Sequence, residues 1–158
     1  MCSDPNFTDP NFTDPDFTSD PIFSRVVLDT NIVLDAFVFD DPAARPLKSA
    51  LAALKLEWIA TKAMRDELTR VLCYPKIMPR MAFYQVTAKH VLAQFDGQAT
   101  LVDTAPKASA TCRDPDDQKF IDLAVSHQAL LLSKDRAVLC MHKRLLTLSV
   151  RVQSALSA

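Results

Sequence analysis

Five acidic residues occur where a parallel α/β sheet would bring them to one edge. Asp29 ends a short apolar segment, Asp135 follows another, and Asp114 and Asp117 begin the helix predicted before that second segment. Glu67 lies one to two turns into a helix of its own, within reach of the same edge. Crowded carboxylates repel one another, and a divalent cation relieves that repulsion. Because Mg2+ and Mn2+ prefer oxygen ligands, the pattern favours metal-assisted hydrolysis of a phosphodiester.

Each carboxylate also has a purely structural interpretation. Asp114 fits a helix N-cap before a proline, Asp117 favours the helix dipole, and Glu67 could be a solvated helix residue. A functional site is favoured because Asp29, Asp117 and Asp135 coincide at one predicted edge. Five other aspartates lack this placement and are predicted to lie on the surface: Asp35, Asp40, Asp41, Asp96 and Asp103.

Alternating apolar and helical segments must position these acids. Strands are predicted at 25–28, 57–60, 99–102, 130–133 and 146–152. Helices are predicted at 32–39, 46–56, 62–74, 80–95 and 114–125, with a short one after 135. Gly97 is predicted to cap the fourth helix. Alternating strands and helices imply an α/β fold, in which ligands bind beyond the carboxyl ends of the strands, near a switch in strand order.

The first 21 residues differ from the rest of the chain. The unit Asp-Pro-Asn-Phe-Thr occurs twice and then once more with a single change. A five-residue period with proline in every unit fits neither helix nor strand. We therefore expect residues 1–21 to be a disordered tail, residues 22–153 to form one domain, and residues 154–158 to be a short C-terminal tail. A neutral repeat expansion is the favoured interpretation of the first tail, and shielding of a basic groove or docking of a partner is the alternative.

The composition is that of an ordinary globular domain, with 49% hydrophobic and 23% charged residues. The net charge is −1, but the first 24 residues hold five acids and no lysine or arginine, leaving 18 basic and 14 acidic residues in the remainder. A mildly basic body is compatible with a polyanionic substrate. The four cysteines lack zinc-site spacing and are interpreted as reduced thiols. With no predicted membrane span or signal peptide, a cytoplasmic location is expected.

Four motifs resemble those of PIN-domain ribonucleases. They are VLDTN at 27–31, DEL at 66–68 with YPK at 74–76, CRDPDDQKF at 112–120, and LSKD at 132–135. Their order and spacing agree from residue 25 to about 150. The sequence is most similar to toxin components of toxin–antitoxin systems, and the third motif is the most specific. One departure is Lys134 before Asp135, where many family members have glycine.

The resemblance implies a PIN-like three-layer sandwich with a central five-stranded parallel sheet and helices on both faces. It also implies cleavage of RNA with Mg2+ or Mn2+, leaving a 5′-phosphate and a 3′-hydroxyl. By motif match, the catalytic acidic tetrad is Asp29, Glu67, Asp117 and Asp135, and the metal ligands among them are Asp29, Asp117 and Asp135. Supporting residues are Asn31, Asp114 and Ser133. Candidate phosphate or RNA contacts are Arg65, Arg70, Lys76, Arg113, Lys119 and Lys134.

The expected partners are an RNA substrate, a cognate antitoxin protein and a second copy of the chain, with no membrane. Two alternatives stay open: a non-catalytic PIN-like module that binds RNA or protein, and a housekeeping RNA-processing nuclease. A phosphotransfer domain of dehalogenase type is disfavoured because Asn31 occupies the place of its second aspartate. A receiver-type domain is disfavoured because Lys134 fits only loosely the place of its phosphate-contacting lysine.

Overall fold

A computed structural model describes residues 24–156. The predicted tail at 1–21 and the last two residues lie outside this range. The described elements, in chain order, are β1 (Arg25–Leu28), α1 (Thr30–Phe37), α2 (Arg45–Ala52), β2 (Glu57–Ala60), α3 (Lys62–Val71), α4 (Met78–Phe83), α5 (Ala88–Gln98), β3 (Ala99–Leu101), α6 (Gln118–His127), β4 (Leu130–Leu132), α7 (Arg136–Leu139), α8 (His142–Leu146) and β5 (Val152–Gln153). Short 3-10 turns at Pro42–Ala44 and Pro115–Asp117 precede α2 and α6.

The five strands form one parallel sheet in the order β3-β2-β1-β4-β5. Helices connect the parallel strands, which confirms the predicted α/β three-layer architecture. Strands β2 and β3 lie on one side of β1 in chain order, and β4 lies on the other side of β1. This reversal of strand order opens a crevice at the carboxyl ends of β1 and β4, where ligands bind in such sheets.

The core is built on the buried central strands. Val26, Val27 and Leu28 of β1 are at most 3% exposed, as expected for a strand covered on both faces. Trp58 of β2 is 1% exposed and stacks on Phe37 at 5.8 Å between ring centroids. Phe95 of α5 meets the same indole edge-on at 5.0 Å. Aromatic pairs of this geometry add to the stability gained from area burial, so the three rings anchor α1 and α5 to the sheet.

The prediction of one helix from 80 to 95 is wrong. The segment forms α4 and α5, separated by a turn in which Gln85 has φ 57° and Val86 N–H donates to Met81 O at 2.9 Å. Thr87 then starts α5, because its hydroxyl accepts a hydrogen bond from His90 N–H at 3.1 Å. A threonine N-cap competes with helix continuation at this position.

Two further boundary predictions are wrong. Gly97 does not cap α5: the helix includes it and passes at Ala99 directly into β3, so no left-handed residue is needed. The last strand does not begin at Leu146, which belongs to α8. A turn with Ser149 at φ 63° follows α8, and only Val152–Gln153 pairs with β4.

Between residues 24 and 156, every helix is too short or too polar to span a membrane. Cys73, Cys112 and Cys140 are free cysteines.

Candidate metal centre

The side chain of Asp29 is fixed at the carboxyl end of β1. Asp29 is the N-cap residue of α1, and its Oδ1 accepts a hydrogen bond from the backbone N–H of Asn31 at 3.3 Å. The backbone N–H of Asp29 donates to Leu132 O at 3.0 Å, which joins the ends of β1 and β4. Burial raises the pKa of Asp29, although its hydrogen bonds with Ser133 and Asn31 oppose that effect. Asn31 thus orients Asp29 through its backbone, and the residue itself is exposed.

The hydroxyl of Ser133 connects two of the acidic residues. Ser133 is fully buried, and its Oγ donates to Asp29 Oδ2 at 2.7 Å while accepting from the backbone N–H of Asp135 at 3.1 Å. Strand register pairs Leu28 with Leu132, so Asp29 and Ser133 follow at matching positions. A hydroxyl can serve both neighbours because it has one donor and two lone pairs.

A 3-10 turn brings Asp117 to the same place. Asp114 caps this turn, with its Oδ1 accepting from Asp116 N–H at 3.0 Å. Asp117 is 7% exposed, and its Oδ2 is the one buried side-chain oxygen without a hydrogen-bond partner among residues 24–156. Burial raises the pKa of Asp117 to about 8, together with a hydrogen bond with Asp135 and the charges of Asp29, Asp135 and Asp114. Asp114 therefore caps the turn that carries Asp117, and its charge contributes to the raised pKa of Asp117.

The carboxylates of Asp29, Asp117 and Asp135 converge. One oxygen from each lies within 4.8 Å of the other two. Asp135 is held as the N-cap of α7, with its Oδ1 accepting from Ala137 N–H at 2.9 Å. A buried carboxylate oxygen without a partner is costly unless a proton or a cation satisfies it. Three convergent carboxylates, among which Asp117 also carries an unsatisfied buried oxygen, fit a Mg2+ or Mn2+ ion.

Glu67 lies beside this cluster and is held by other groups. Its Oε2 accepts a hydrogen bond from Thr30 Oγ1 at 2.9 Å, and its Oε1 forms an ion pair with Lys119 Nζ. The negative charge of Glu67 contributes to the raised pKa of Asp29. Both oxygens of Glu67 have partners, in contrast to Asp117. The structure thus brings three of the four predicted tetrad residues together and places the fourth next to them. Thr30 belongs to the first motif, but the sequence alone does not indicate its contact with Glu67.

Four of the predicted RNA contacts, three arginines and Lys76, differ in whether they have a partner within the protein. Arg65 donates two hydrogen bonds to the carboxylate of Asp96, at 2.7 and 2.8 Å, and this contact raises the pKa of Arg65 and lowers that of Asp96. Arg113 is exposed and forms no ion pair with any residue from 24 to 156. The same holds for Arg70 and Lys76. These three cations are the ones that a phosphate could reach without displacing an internal partner.

Lys134 forms an ion pair with Asp35 of α1. The prediction that Asp35 lies on the surface is wrong, because the residue is only 8% exposed. Helix α1 turns this carboxylate toward the loop after β4, where the Lys134 ammonium compensates its charge. The lysine that replaces the usual glycine of the fourth motif therefore has a structural partner.

Gln118 and Asp122, which sequence reasoning missed, fasten the loop before the 3-10 turn. Gln118 Oε1 accepts from Cys112 N–H at 2.6 Å, and its Nε2 donates to Ala110 O at 3.0 Å and to Asp122 Oδ1 at 2.8 Å. Asp122 Oδ1 also accepts from Ala108 N–H at 2.9 Å. The available signal was their spacing of four on one helix face. These hydrogen bonds hold the loop before the 3-10 turn in place, and the turn in turn positions Asp117.

The fold and the acidic site define an α/β protein with a candidate metal centre at its topological switch point. The model of the PIN domain family matches residues 25–137, which include every acidic residue described above. The chain belongs to the PIN domain family.

One solved structure that this chain resembles is the crystal structure of VapBC2 from Rickettsia felis bound to a DNA fragment from their promoter. The likeness covers 81% of this chain and 96% of the other, with a TM-score of 0.53 and 15% sequence identity. At this identity the likeness shows a shared fold. No curated protein matches the sequence.

Proposed function

We propose that this protein is an endoribonuclease that depends on Mg2+ or Mn2+. The observation that carries the proposal is the cluster of Asp29, Asp117 and Asp135, in which a buried oxygen of Asp117 has no protein partner. Membership of the PIN domain family, whose members are generally nucleases, supports the same chemistry.

The three aspartates would hold the ion, and neighbouring residues keep them in place. When bound, a divalent cation supplies activation of water and neutralises charge on the scissile phosphodiester. Ser133 orients Asp29 and the start of the Asp135 loop through one hydroxyl. Such supporting hydrogen bonds typically affect metal affinity or activity by about 10- to 100-fold.

Glu67 and Lys119 form the outer side of the site. Thr30 and Lys119 fix both carboxylate oxygens of Glu67. The Lys119 ammonium is therefore held next to the acidic cluster, where it can contact a substrate phosphate as the nucleic acid enters. We assign Glu67 the role of positioning this ammonium and the water around the cluster.

Cleavage of RNA by the purified full chain tests this proposal. The assay compares EDTA, Mg2+ and Mn2+, for wild type, Asp29→Asn and the matched control Asp103→Asn, whose carboxylate is exposed and outside the site. We expect metal-dependent cleavage that is lost in Asp29→Asn and retained in Asp103→Asn, with products carrying 5′-phosphates. Equal cleavage by wild type and Asp29→Asn would contradict the site assignment. RNA binding without cleavage under any condition would favour a non-catalytic module.

We further propose that the protein is the toxin of a toxin–antitoxin pair, acts in the cytoplasm and is inhibited by a cognate antitoxin protein. The fold shared with a chain of the VapBC2 structure supports this assignment. Induced expression should arrest bacterial growth, Asp29→Asn should not, and co-expression of the protein encoded by the adjacent gene should restore growth. An active nuclease that leaves growth unaffected would instead indicate a housekeeping role in RNA processing.

We also propose that the protein forms a homodimer. Sedimentation of the purified chain, which measures its mass in solution, tests this proposal.

A further inference from the structure

Two cysteine thiols converge on one carbonyl oxygen at the end of α7. The Sγ of Cys112 donates to Ala137 O at 3.5 Å, and the Sγ of Cys140 donates to the same oxygen at 3.4 Å. The two sulfurs therefore cannot lie farther apart than the sum of these distances. The amides that would close a helical turn onto this carbonyl, those of Cys140 and Met141, donate to other carbonyls. The thiols of two free cysteines thus take the place of these amides.

The two thiols stand on the segments that carry two of the proposed metal ligands. Ala137, whose oxygen accepts from both sulfurs, also donates its N–H to Asp135 Oδ1 at 2.9 Å. Cys112 donates its N–H to Gln118 Oε1 at 2.6 Å, and Gln118 directly follows Asp117 in the chain. A movement of the Cys112 segment against α7 would therefore change the position of Asp117 relative to Asp135.

The two cysteines differ in how readily an oxidant reaches them. Cys140 is exposed, whereas Cys112 is 5% exposed. Burial raises the pKa of Cys112, and a backbone hydrogen bond with Asp114 opposes that effect. The negative charges of Asp117, Asp114 and Asp135 raise the pKa of Cys112 further. Because oxidation of cysteine depends on access and on thiolate character, an oxidant reacts first with Cys140, while Cys112 stays a thiol close to it.

We infer that Cys112 and Cys140 are a modification site, at which a hydroperoxide produces a disulfide that displaces Asp117 relative to Asp135 and weakens binding of the divalent cation. The formation of the disulfide follows from the position of the thiols alone. Its effect on the cation rests on the proposed metal-dependent function and gives that function a form of regulation.

Hydrogen peroxide is the oxidant in this scheme. The Cys140 sulfur attacks one peroxide oxygen, so that an S–O bond forms, the O–O bond breaks and the other oxygen leaves as water with the thiol proton. The Cys112 sulfur then attacks the Cys140 sulfur, so that an S–S bond forms and the S–O bond breaks. The hydroxyl of the sulfenic acid leaves as water with the Cys112 proton. The thiol pair loses two electrons, and the peroxide is reduced to two waters.

The disulfide cannot keep the hydrogen bonds that the thiols make. Bonded sulfurs carry no proton, so Ala137 O loses both of its thiol donors. The bond also draws the Cys112 segment toward α7, because the sulfurs of a disulfide are closer than those of two separate thiols can be. A buried carbonyl without a donor is costly, and a shift of Ala137 to find a new donor moves the N–H that holds Asp135.

Peptide mapping and Mn2+ binding test the two parts of the inference on the full chain. The reduced protein is treated with hydrogen peroxide, freed of peroxide, and digested without reductant for mass spectrometry. Cys140→Ser is the test variant, because its hydroxyl keeps a donor for Ala137 O and cannot form a disulfide. Cys73→Ser is the matched control, because Cys73 is an exposed free cysteine that follows α3. Calorimetry gives the Mn2+ affinity before oxidation, after it, and after dithiothreitol.

We expect a peptide pair joined through Cys112 and Cys140 in the wild type and in Cys73→Ser. In both proteins, oxidation should weaken Mn2+ binding by roughly 10- to 100-fold, the range for loss of a group that orients a metal ligand. Dithiothreitol should restore the affinity. Peroxide treatment of Cys140→Ser should leave its Mn2+ affinity unchanged.

Separate results test the thiol pair and the metal centre. A Cys140 that stays unpaired, or that joins Cys2, Cys73 or a second chain instead of Cys112, would overturn the inference. A Cys112–Cys140 disulfide with unchanged Mn2+ affinity would overturn its proposed effect on the site. The disulfide in a protein whose reduced form does not bind Mn2+ would support the thiol pair and contradict the proposed metal centre.

Discussion

Replacement of Asp117 by asparagine should change how the stability of the metal-free protein depends on pH. The pKa of Asp117 is raised in the folded state from 3.8 to about 8. Between these two values, the folded state binds one proton more than the unfolded state. The contribution of Asp117 to the free energy of unfolding is therefore fully present below about pH 4 and is lost as the pH rises toward 8.

A difference of one bound proton between the two states changes the free energy of unfolding by about 1.4 kcal/mol for each pH unit. Between pH 5 and pH 8 the wild type should lose roughly 3–4 kcal/mol relative to Asp117→Asn, whose amide does not titrate. For a domain of this size that difference changes Tm by on the order of 10 °C.

The assay is thermal unfolding in EDTA at a series of pH values for wild type, Asp117→Asn and the control Asp103→Asn. Asp103→Asn should give a curve parallel to that of the wild type. Saturating Mn2+ should abolish the difference in slope, because a bound cation favours the ionised carboxylate. Parallel curves for wild type and Asp117→Asn in EDTA would refute the argument that the buried Asp117 lacks a partner for its charge.

Two other substitutions test how the site is supported. Ser133→Ala removes the donor to Asp29 and the acceptor for the Asp135 N–H, and it should weaken Mn2+ affinity by about 10- to 100-fold in a titration. Unchanged affinity would show that this hydroxyl does not organise the centre. Gln118→Ala leaves two backbone groups of the preceding loop without partners and should cost about 2 kcal/mol, or roughly 6 °C in Tm. Hydrogen exchange should then be faster at Cys112 N–H, and equal protection in both proteins would contradict the role of Gln118 in fastening the loop.

Much of the fold could be predicted because it depends on local patterns. The buried β-branched residues of β1 and the threonine cap at Thr61 specify their elements without help from distant residues. The break between α4 and α5 was missed because the periodicity of the apolar residues runs on across Gln85, while the cap at Thr87 gives a weaker signal. The short β5 was misplaced because Leu146 is apolar and fits a strand pattern as well as the end of α8.

The sequence predicts the part of the site that lies at the carboxyl ends of the strands. Asp29 and Asp135 follow neighbouring parallel strands, and the topology alone brings their carboxylates together. The ion pairs of Lys119 with Glu67 and of Lys134 with Asp35 join residues far apart in sequence. No pattern in the chain specifies such pairs, because each depends on how a helix is rotated against its neighbour.

Direct measurement of Mn2+ binding tests the central claim that the three aspartates form a divalent metal centre. Isothermal titration calorimetry at pH 7, in two buffers with different ionisation enthalpies, gives both the affinity and the number of protons released. The wild type should bind Mn2+ and release about one proton per ion, because Asp117 holds a proton at this pH and must lose it to become a ligand. Asp117→Asn should bind much more weakly and release no proton. Equal binding by both proteins, or binding by the wild type without proton release, would contradict the proposed metal centre.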